Sequence, residues 1–380
     1  MTAIRKALEC SIVAVASVAA FLLAGCEPAA LDGPVAGKGA VVVSLASPAT
    51  KGQSVPDYFL PSETRLDAID LLVYQNGEKV YGERFTSTNN GTLTVTLDPG
   101  TYDICVVANA KTFDPKTFST YAALKSKPIT LQDAVPGAVA GNSGIQGMLM
   151  SGRVTSVTCV AGETTTTTVP VERYAARVRL VTVTSAFADT PLAGSNPKLG
   201  GVWLENVRSA WSFDKTGSAT GLVLPAGRLV NGTDAVPQPT SGNPAPLAKA
   251  GSETYPYLYA DYVSGQAFSG SWMANQEITI NAVMFCLPNA LAESGDHYGP
   301  TTADCRTRLV VDLYTGSDWA TYRYYPITID NPQAGWTYDV RMTFTGRGST
   351  DPNDKLQRDA GLTVNIEAWK AGSEFDSYRY

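Results

Sequence analysis

Apolar and polar residues alternate in short runs along most of the chain, and turn residues separate the runs. The stretches 68–74 (AIDLLVY), 91–97 (GTLTVTL) and 102–108 (YDICVVA) are rich in β-branched residues. Asn76-Gly77, Asn89-Asn90-Gly91 and Asp98-Pro99-Gly100 bound them, so each reads as a strand between turns. In TTTTTVPVERYAARVRLVTVTSA, from Thr164, two β-rich runs meet at Val171-Glu172-Arg173 and a new alternation starts at Ala176, which places a domain boundary near 172. The five threonines read as an edge or hairpin strand, because threonine favours strands. Strands return at 277–287, 307–314, 320–329, 336–345 and 361–369. The one helix-like stretch in the first half is 118–127, with Tyr121 and Leu124 at i, i+3. Between 185 and 275 Gly, Pro, Ser and Asn break the pattern, and 233–249 alone holds four prolines, as a long surface excursion would. The prediction is all-β, with two β-sandwich-like domains at about 38–171 and 172–380.

One strand stands apart. GAVVVSLASPATKGQ, 39–53, puts Val41, Val43 and Leu45 on one face and runs into a Pro/Ala/Gly loop carrying Lys51. Ahead of it the chain has the charged, apolar, small-residue order of a signal peptide. Arg5 and Lys6 precede the nearly all-apolar 12–23, which ends in Leu23-Ala24-Gly25-Cys26. That ending resembles a bacterial lipobox, in which residues 1–25 are removed and Cys26 is acylated, with 26–38 as a Pro/Ala/Gly-rich tether. Each buried CH₂ contributes roughly 0.8 kcal/mol, so several acyl chains hold a protein on a membrane. The predicted form is exported and membrane-bound.

Composition narrows the chemistry. Hydrophobic residues at 44% and charged residues at 17% describe a folded chain with a sizeable core. A net charge of −6 without a basic block argues against nucleic acid, which needs clustered Lys and Arg. The single histidine, His297, lies beside Asp296 and Tyr298 in no catalytic motif, and no CxxC pair is present, so no metal site is predicted. Asp351-Pro352-Asn353-Asp354 lacks the spacing and closing Glu of a calcium loop, and Asn231-Gly232-Thr233 is only a formal glycosylation acceptor. Aromatics at 255–262 and 319–325 could stack on sugar, although alternating aromatics in strands more often fill a core. Besides Cys10 and Cys26, four cysteines remain, Cys105, Cys159, Cys286 and Cys305. They allow three pairings; Cys105–Cys159 with Cys286–Cys305 keeps each bridge inside one candidate domain, and free buried thiols are the alternative.

The LAGC ending, the lone strand before a basic residue, AIDLLVYQNGEKV, LDPGTYDICVVANA (97–110), VERYAARVRL, WTYDVRMTFTGRGSTDPN (336–353) and the closing strand to Trp369 occur in one chain. Together they resemble the fimbrillins of Bacteroidales type V pili, the FimA-type shaft subunits. The resemblance implies two tandem transthyretin-like β-sandwich domains with few short helices, 39–171 and 172–380, and a structural protein that is not an enzyme and needs no cofactor. It implies export to the outer membrane through lipid on Cys26, followed by cleavage by a trypsin-like protease after Lys51, where the best-known members have Arg; Arg65 is the next basic residue. Loss of Gly39–Ala46, with Val41, Val43 and Leu45, would open a groove. The donor that fills it would come from the C-terminus of another copy, 362–380. Leu362, Val364, Ile366 and Ala368 share one face of that segment, and Phe375, Tyr378 and Tyr380 lie in the tail. The implied partners are further copies of the chain, accessory anchor and tip subunits and the processing protease. The implied place is a cell-surface fimbrium serving adhesion and biofilm formation. An anchor or tip subunit of the same system, and an uncut glycan-binding lipoprotein, are the competing readings.

Overall fold

The computed structural model describes residues 37–46, 63, 65–86, 92–137, 144–186, 198–205, 207–217, 219–220, 259–261, 276–289, 306–315, 321–346, 348–349, 362–370 and 376–379. The predicted all-β class is what forms: among the described residues nearly all regular structure is strand, in five sheets.

The first half is two layers. A three-stranded sheet has the order β4 (Thr92–Leu97), β1 (Gly39–Ala46), β8 (Thr164–Pro170). A five-stranded sheet has the order β3 (Glu78–Phe85), β2 (Ile69–Gln75), β5 (Gly100–Ala108), β7 (Met150–Cys159), β9 (Glu172–Arg173). Strand alternation explains how they meet. Leu93, Val95 and Leu97 of β4 and Val41 and Val43 of β1 pack on Ile69, Leu71, Val73, Ile104 and Val106 of the larger sheet. The alternate residues of that sheet, Leu72, Tyr74, Cys105 and Val107, face a second core. Burial on both faces is why AIDLLVY and YDICVVA read as nearly continuous apolar runs. The Asn76-Gly77 turn closes β2 onto β3 with both residues at positive φ, 51° and 86°, as a two-residue hairpin requires.

The connection from β5 to β7 covers that second face. It contains a 3₁₀ turn at Pro115–Thr117, α1 (Tyr121–Lys125), β6 (Pro128–Thr130) and α2 (Leu131–Ala134). The helix predicted at 118–127 shrinks to α1: Thr120 caps it, accepting from the Ala123 amide at 3.1 Å, and Leu124 is its buried residue. α2 starts with a capping box of Thr130 and Asp133, a device that fastens a helix of one turn.

After β9 the chain enters β10 (Ala176–Ser185), an interior strand of a five-stranded sheet. Its neighbours are β14 (Gln276–Cys286), antiparallel, and β17 (Trp336–Phe344), parallel, with β18 (Leu362–Lys370) and β19 (Asp376–Arg379) beyond β17. β11 (Lys198–Glu205), β13 (Tyr259–Asp261), β15 (Arg308–Thr315) and β16 (Thr321–Thr328) make a four-stranded sheet. Val178, Leu180, Met284, Val340, Met342 and Ile366 of the former share one core with Val202, Leu204, Leu309, Val311 and Tyr325 of the latter. A small sheet of β12 (Ala210–Ser212) with β6 ties the two halves together.

The cysteines correct one expectation. Cys105 and Cys159 do not bridge: both are buried free thiols. Cys105 lies opposite Arg153 and belongs to the second core, whereas Cys159 lies opposite Gly100 and belongs to the first, on the other face of the same sheet. Two side chains on opposite faces cannot reach disulfide distance. Cys286 is also a buried free thiol, and Cys305 lies outside the described residues. Burial pushes the thiols of Cys105 and Cys286 up to about 12, which leaves them unreactive.

Candidate functional site: a first strand held between two edges

β1 occupies a slot with two different walls. It runs antiparallel to β4, with Gly39 opposite Leu97 and Ser44 opposite Thr92. On its other side it runs parallel to β8, with Ala40 opposite Thr164 and Ala46 opposite Pro170. The predicted threonine strand is therefore an edge of this sheet. Among the described residues β4 and β8 have no ladder except the one with β1, so removing β1 leaves two open edges with an apolar floor between them. Val41 and Val43 are fully buried in that floor and Leu45 is half-buried against it, the face predicted for this strand.

The slot has a closed end. A Cβ placed on Gly39 would lie 2.3 Å from the Val160 carbonyl oxygen and 2.6 Å from Cys159 Sγ, so only glycine fits that register position. Around it the Ala40 amide donates to the Glu163 oxygen at 2.9 Å and the Gly162 amide to the Lys38 oxygen at 2.8 Å. At the far end the Val171 amide donates to the Ala46 oxygen at 3.0 Å. Charge contributes little to holding the strand. Its nearby ion pair is Lys38–Asp98 at 3.6 Å, exposed on both sides.

Where the chain resumes, it is clamped. Asn109, buried and in the left-handed region at φ 61°, donates through Nδ2 to the Arg65 oxygen at 2.8 Å and to the Met148 oxygen at 2.9 Å. Its Oδ1 accepts from the Asp67 amide at 2.8 Å. The Asp67 carboxylate accepts from the Gln146 and Gly147 amides, each at 2.8 Å, and pairs with the Arg65 guanidinium. Burial raises the Asp67 pKa, but those two amides and Arg65 outweigh it and leave the carboxyl below its ordinary value. Just upstream, Glu63 is fully buried, with Arg177 Nε 3.4 Å from its carboxylate and Arg173 Nη2 donating to its carbonyl at 3.0 Å.

At the other terminus, Leu362, Val364, Ile366 and Ala368 lie on β18, which pairs with β17 along all nine of its residues. Ile366 and Ala368 are buried in the second core. β19 carries Tyr378 and pairs with β18 through its four residues, Asp376–Arg379. Cys26, Lys51, Phe375 and Tyr380 lie outside the described residues, as do His297, Asn231 and 351–354. Of the aromatics considered for sugar stacking, Tyr324 and Tyr325 are buried; Tyr324 stands edge-on to Trp203 at 6.2 Å and Tyr325 packs on Phe344 at 4.3 Å. Among the described residues no group of His, Cys, Asp and Glu is placed to hold a metal ion.

Sequence reasoning missed the glycine stop at 39, the cover that β1 lays over Cys159, and the Asn109 clamp. Only Asn109 left a trace, as a lone polar residue closing the apolar run YDICVVA.

Layered, mostly antiparallel sheets around a first strand held between two otherwise unpaired edges define an all-β sandwich protein, and solved structures share that fold. A candidate cell adhesion protein from Bacteroides eggerthii superposes with a TM-score of 0.54 at 15% identity, covering 89% of this chain and 97% of its own. The fimbrilin (FimA) of Porphyromonas gingivalis superposes with a TM-score of 0.54 at 14% identity, covering 87% and 96%. A candidate cell adhesion protein from Parabacteroides distasonis gives 0.54 at 16%, covering 88% and 99%. No curated protein matches the chain. Residues 62–181 match the family model of the major fimbrial subunit protein (FimA).

Proposed function

We propose that this chain is a fimbrial subunit and builds the shaft of a cell-surface pilus. It is exported as a lipoprotein acylated on Cys26 and anchored in the outer membrane until a trypsin-like protease cuts after Lys51. β1 then leaves, and a C-terminal strand of another copy fills the slot. The domains in this reading are 39–171, which accepts, and 172–380, which donates. The fimbrium serves adhesion and biofilm formation, with accessory anchor and tip subunits at its ends. The family is one of structural fimbrial subunits and not of enzymes.

The observation that carries the reading is the position of β1 as the sole ladder partner of both β4 and β8 among the described residues. A strand taken from there leaves backbone donors and acceptors along both walls, and an incoming strand satisfies both sets at once. Val41 and Val43 contribute roughly 1.5–3 kcal/mol each by burial, so the empty slot is costly and the filled one stable. The ladders also rank the donors. β18 is integral to its own sheet, whereas releasing β19 breaks only a four-residue ladder. The tail with Phe375, Tyr378 and Tyr380 is therefore the better donor than Leu362–Ala368.

The test is to incubate the full chain with a Lys/Arg-specific protease and follow it by mass spectrometry and electron microscopy. A new N-terminus at Gly52 together with filaments is the expected result. A chain that is cut there and never polymerises is not a shaft subunit. A chain that resists the cut falls to the anchor or glycan-binding readings.

A further inference from the structure

Two basic residues in the sequence separate β1 from β2: Lys51 and Arg65. A serine- or cysteine-protease cut needs the substrate extended across the cleft for several residues, with the scissile carbonyl free to enter an oxyanion hole. Arg65 presents a half-exposed side chain, which by itself would make it a target. Its carbonyl, however, is held by Asn109 Nδ2 at 2.8 Å, and Asn109 is fully buried. Two residues on, Asp67 is fastened through its own amide and through the Gln146 and Gly147 amides. Two residues back, Glu63 is buried against Arg177, and its carbonyl is held by Arg173. Gly147 closes the site from above: a Cβ there would stand 2.2 Å from Asn109 Nδ2 and 2.5 Å from the Arg65 oxygen. The Arg65–Leu66 bond is thus threaded under a glycine, with a fastened residue on each side.

We infer that the clamp of Asn109, Asp67, Gly147 and Glu63 protects Arg65 from processing, so that freeing β1 takes a protease that accepts lysine. Resting on the proposed processing of the first strand, the inference names the class of its partner. Lys51 is the one Lys or Arg between Ala46 and Glu63, and an arginine-only protease therefore leaves β1 in place. The clamp has a second consequence: a cut upstream of Glu63 keeps Glu63 with its two arginines in the processed chain.

The experiment treats the folded full chain in parallel with a lysine-specific and an arginine-specific endoprotease and maps new N-termini by mass spectrometry. The lysine-specific enzyme should produce an N-terminus at Gly52, and the arginine-specific enzyme none at Leu66. Asn109→Ala should raise the rate of the Leu66 cut at least about tenfold, since native-state cutting follows the opening equilibrium and one buried hydrogen bond is worth about that factor. Asp67→Ala, which leaves Asn109 in place, should raise it in the same direction. An N-terminus at Leu66 in the folded wild type, resistance of Lys51 to the lysine-specific enzyme, or two variants as resistant as the wild type would each overturn the inference. Filament formation is scored separately: a correct cutting pattern without filaments removes the shaft reading and leaves the clamp standing.

Discussion

Gly39 and Cys159 meet where β1 enters its slot, and each reports on the other. The thiol is buried beneath the glycine, with its Sγ 3.8 Å from the Leu97 oxygen. Burial pushes its pKa up, and the Gly39 amide works against that shift. Cys159 should therefore resist an alkylating reagent in the intact chain and react once β1 has gone, while Cys105 and Cys286 stay unmodified. Peptide mapping after brief alkylation checks this, and equal labelling of Cys159 before and after the cut would show that β1 is not its cover. Lys111 gives a second reading at this scale. It is buried, donates to the Val135 oxygen, and desolvation lowers its pKa to about 8 despite the attraction of Asp133. Between about pH 8 and its ordinary value of 10.5 the unfolded chain binds a proton there that the folded chain does not. Stability contributed at this site therefore rises with pH across that window, by at most about 1.4 kcal/mol per pH unit. Urea midpoints compared at about pH 7.5 and pH 9.5 should show a rise in the wild type that Lys111→Met reduces.

β1 and β10 are the same kind of element fastened differently. Each is the first long strand of its half and lies between one antiparallel and one parallel neighbour, β4 and β8 for β1, β14 and β17 for β10. β10 is bolted in by charge: Arg179 grips Asp339 of β17 in a two-bonded pair at 2.8 and 2.5 Å, buried on both sides, and Arg177 holds Glu63. Among the described residues β1 has only the exposed Lys38–Asp98 pair beside it. Asp339→Ala strands a buried guanidinium and should cost about 3–5 kcal/mol in chemical denaturation, whereas Lys38→Ala should stay within about 0.5 kcal/mol. Comparable losses would mean that the two strands are held alike. This contrast marks the limit of what alternation could reveal. The apolar face of β1 was legible in Val41, Val43 and Leu45, and so were the Asn76-Gly77 hairpin and the threonine edge, because local pattern and turn chemistry fix them. The pairing of β1 with β8 across more than a hundred residues was not, nor was the Arg179–Asp339 pair, because both depend on partners distant in the chain. The cysteine spacing that fitted a bridge inside one domain failed for the same reason: which face of β5 and β7 each thiol takes is set by register, not by sequence separation.

In the proposed reading a slot at one place and a releasable tail at another make a heterologous contact, and such contacts extend without closing. The two functions can then be removed separately. A Lys51→Ala copy keeps β1 and cannot accept, but it still carries β19 and can donate. A copy cut after Lys51 and truncated after Gly372 can accept but cannot donate, and it retains β18 with its full ladder to β17, so its fold should survive. In excess unmodified, cut subunit, each should shorten filaments when added at a small fraction, because each ends growth at one end only. Mixed with each other alone, the two should give a one-to-one dimer and nothing larger, since after a single exchange neither free end remains competent. Size-exclusion chromatography with light scattering distinguishes the outcomes. Dimers from either copy alone, or polymers from the mixture, would mean that assembly runs through a surface other than the β1 slot and the C-terminal tail. Polymers of the cut, truncated copy by itself would place the donor in β18 instead of β19, because that copy keeps β18 and an open slot.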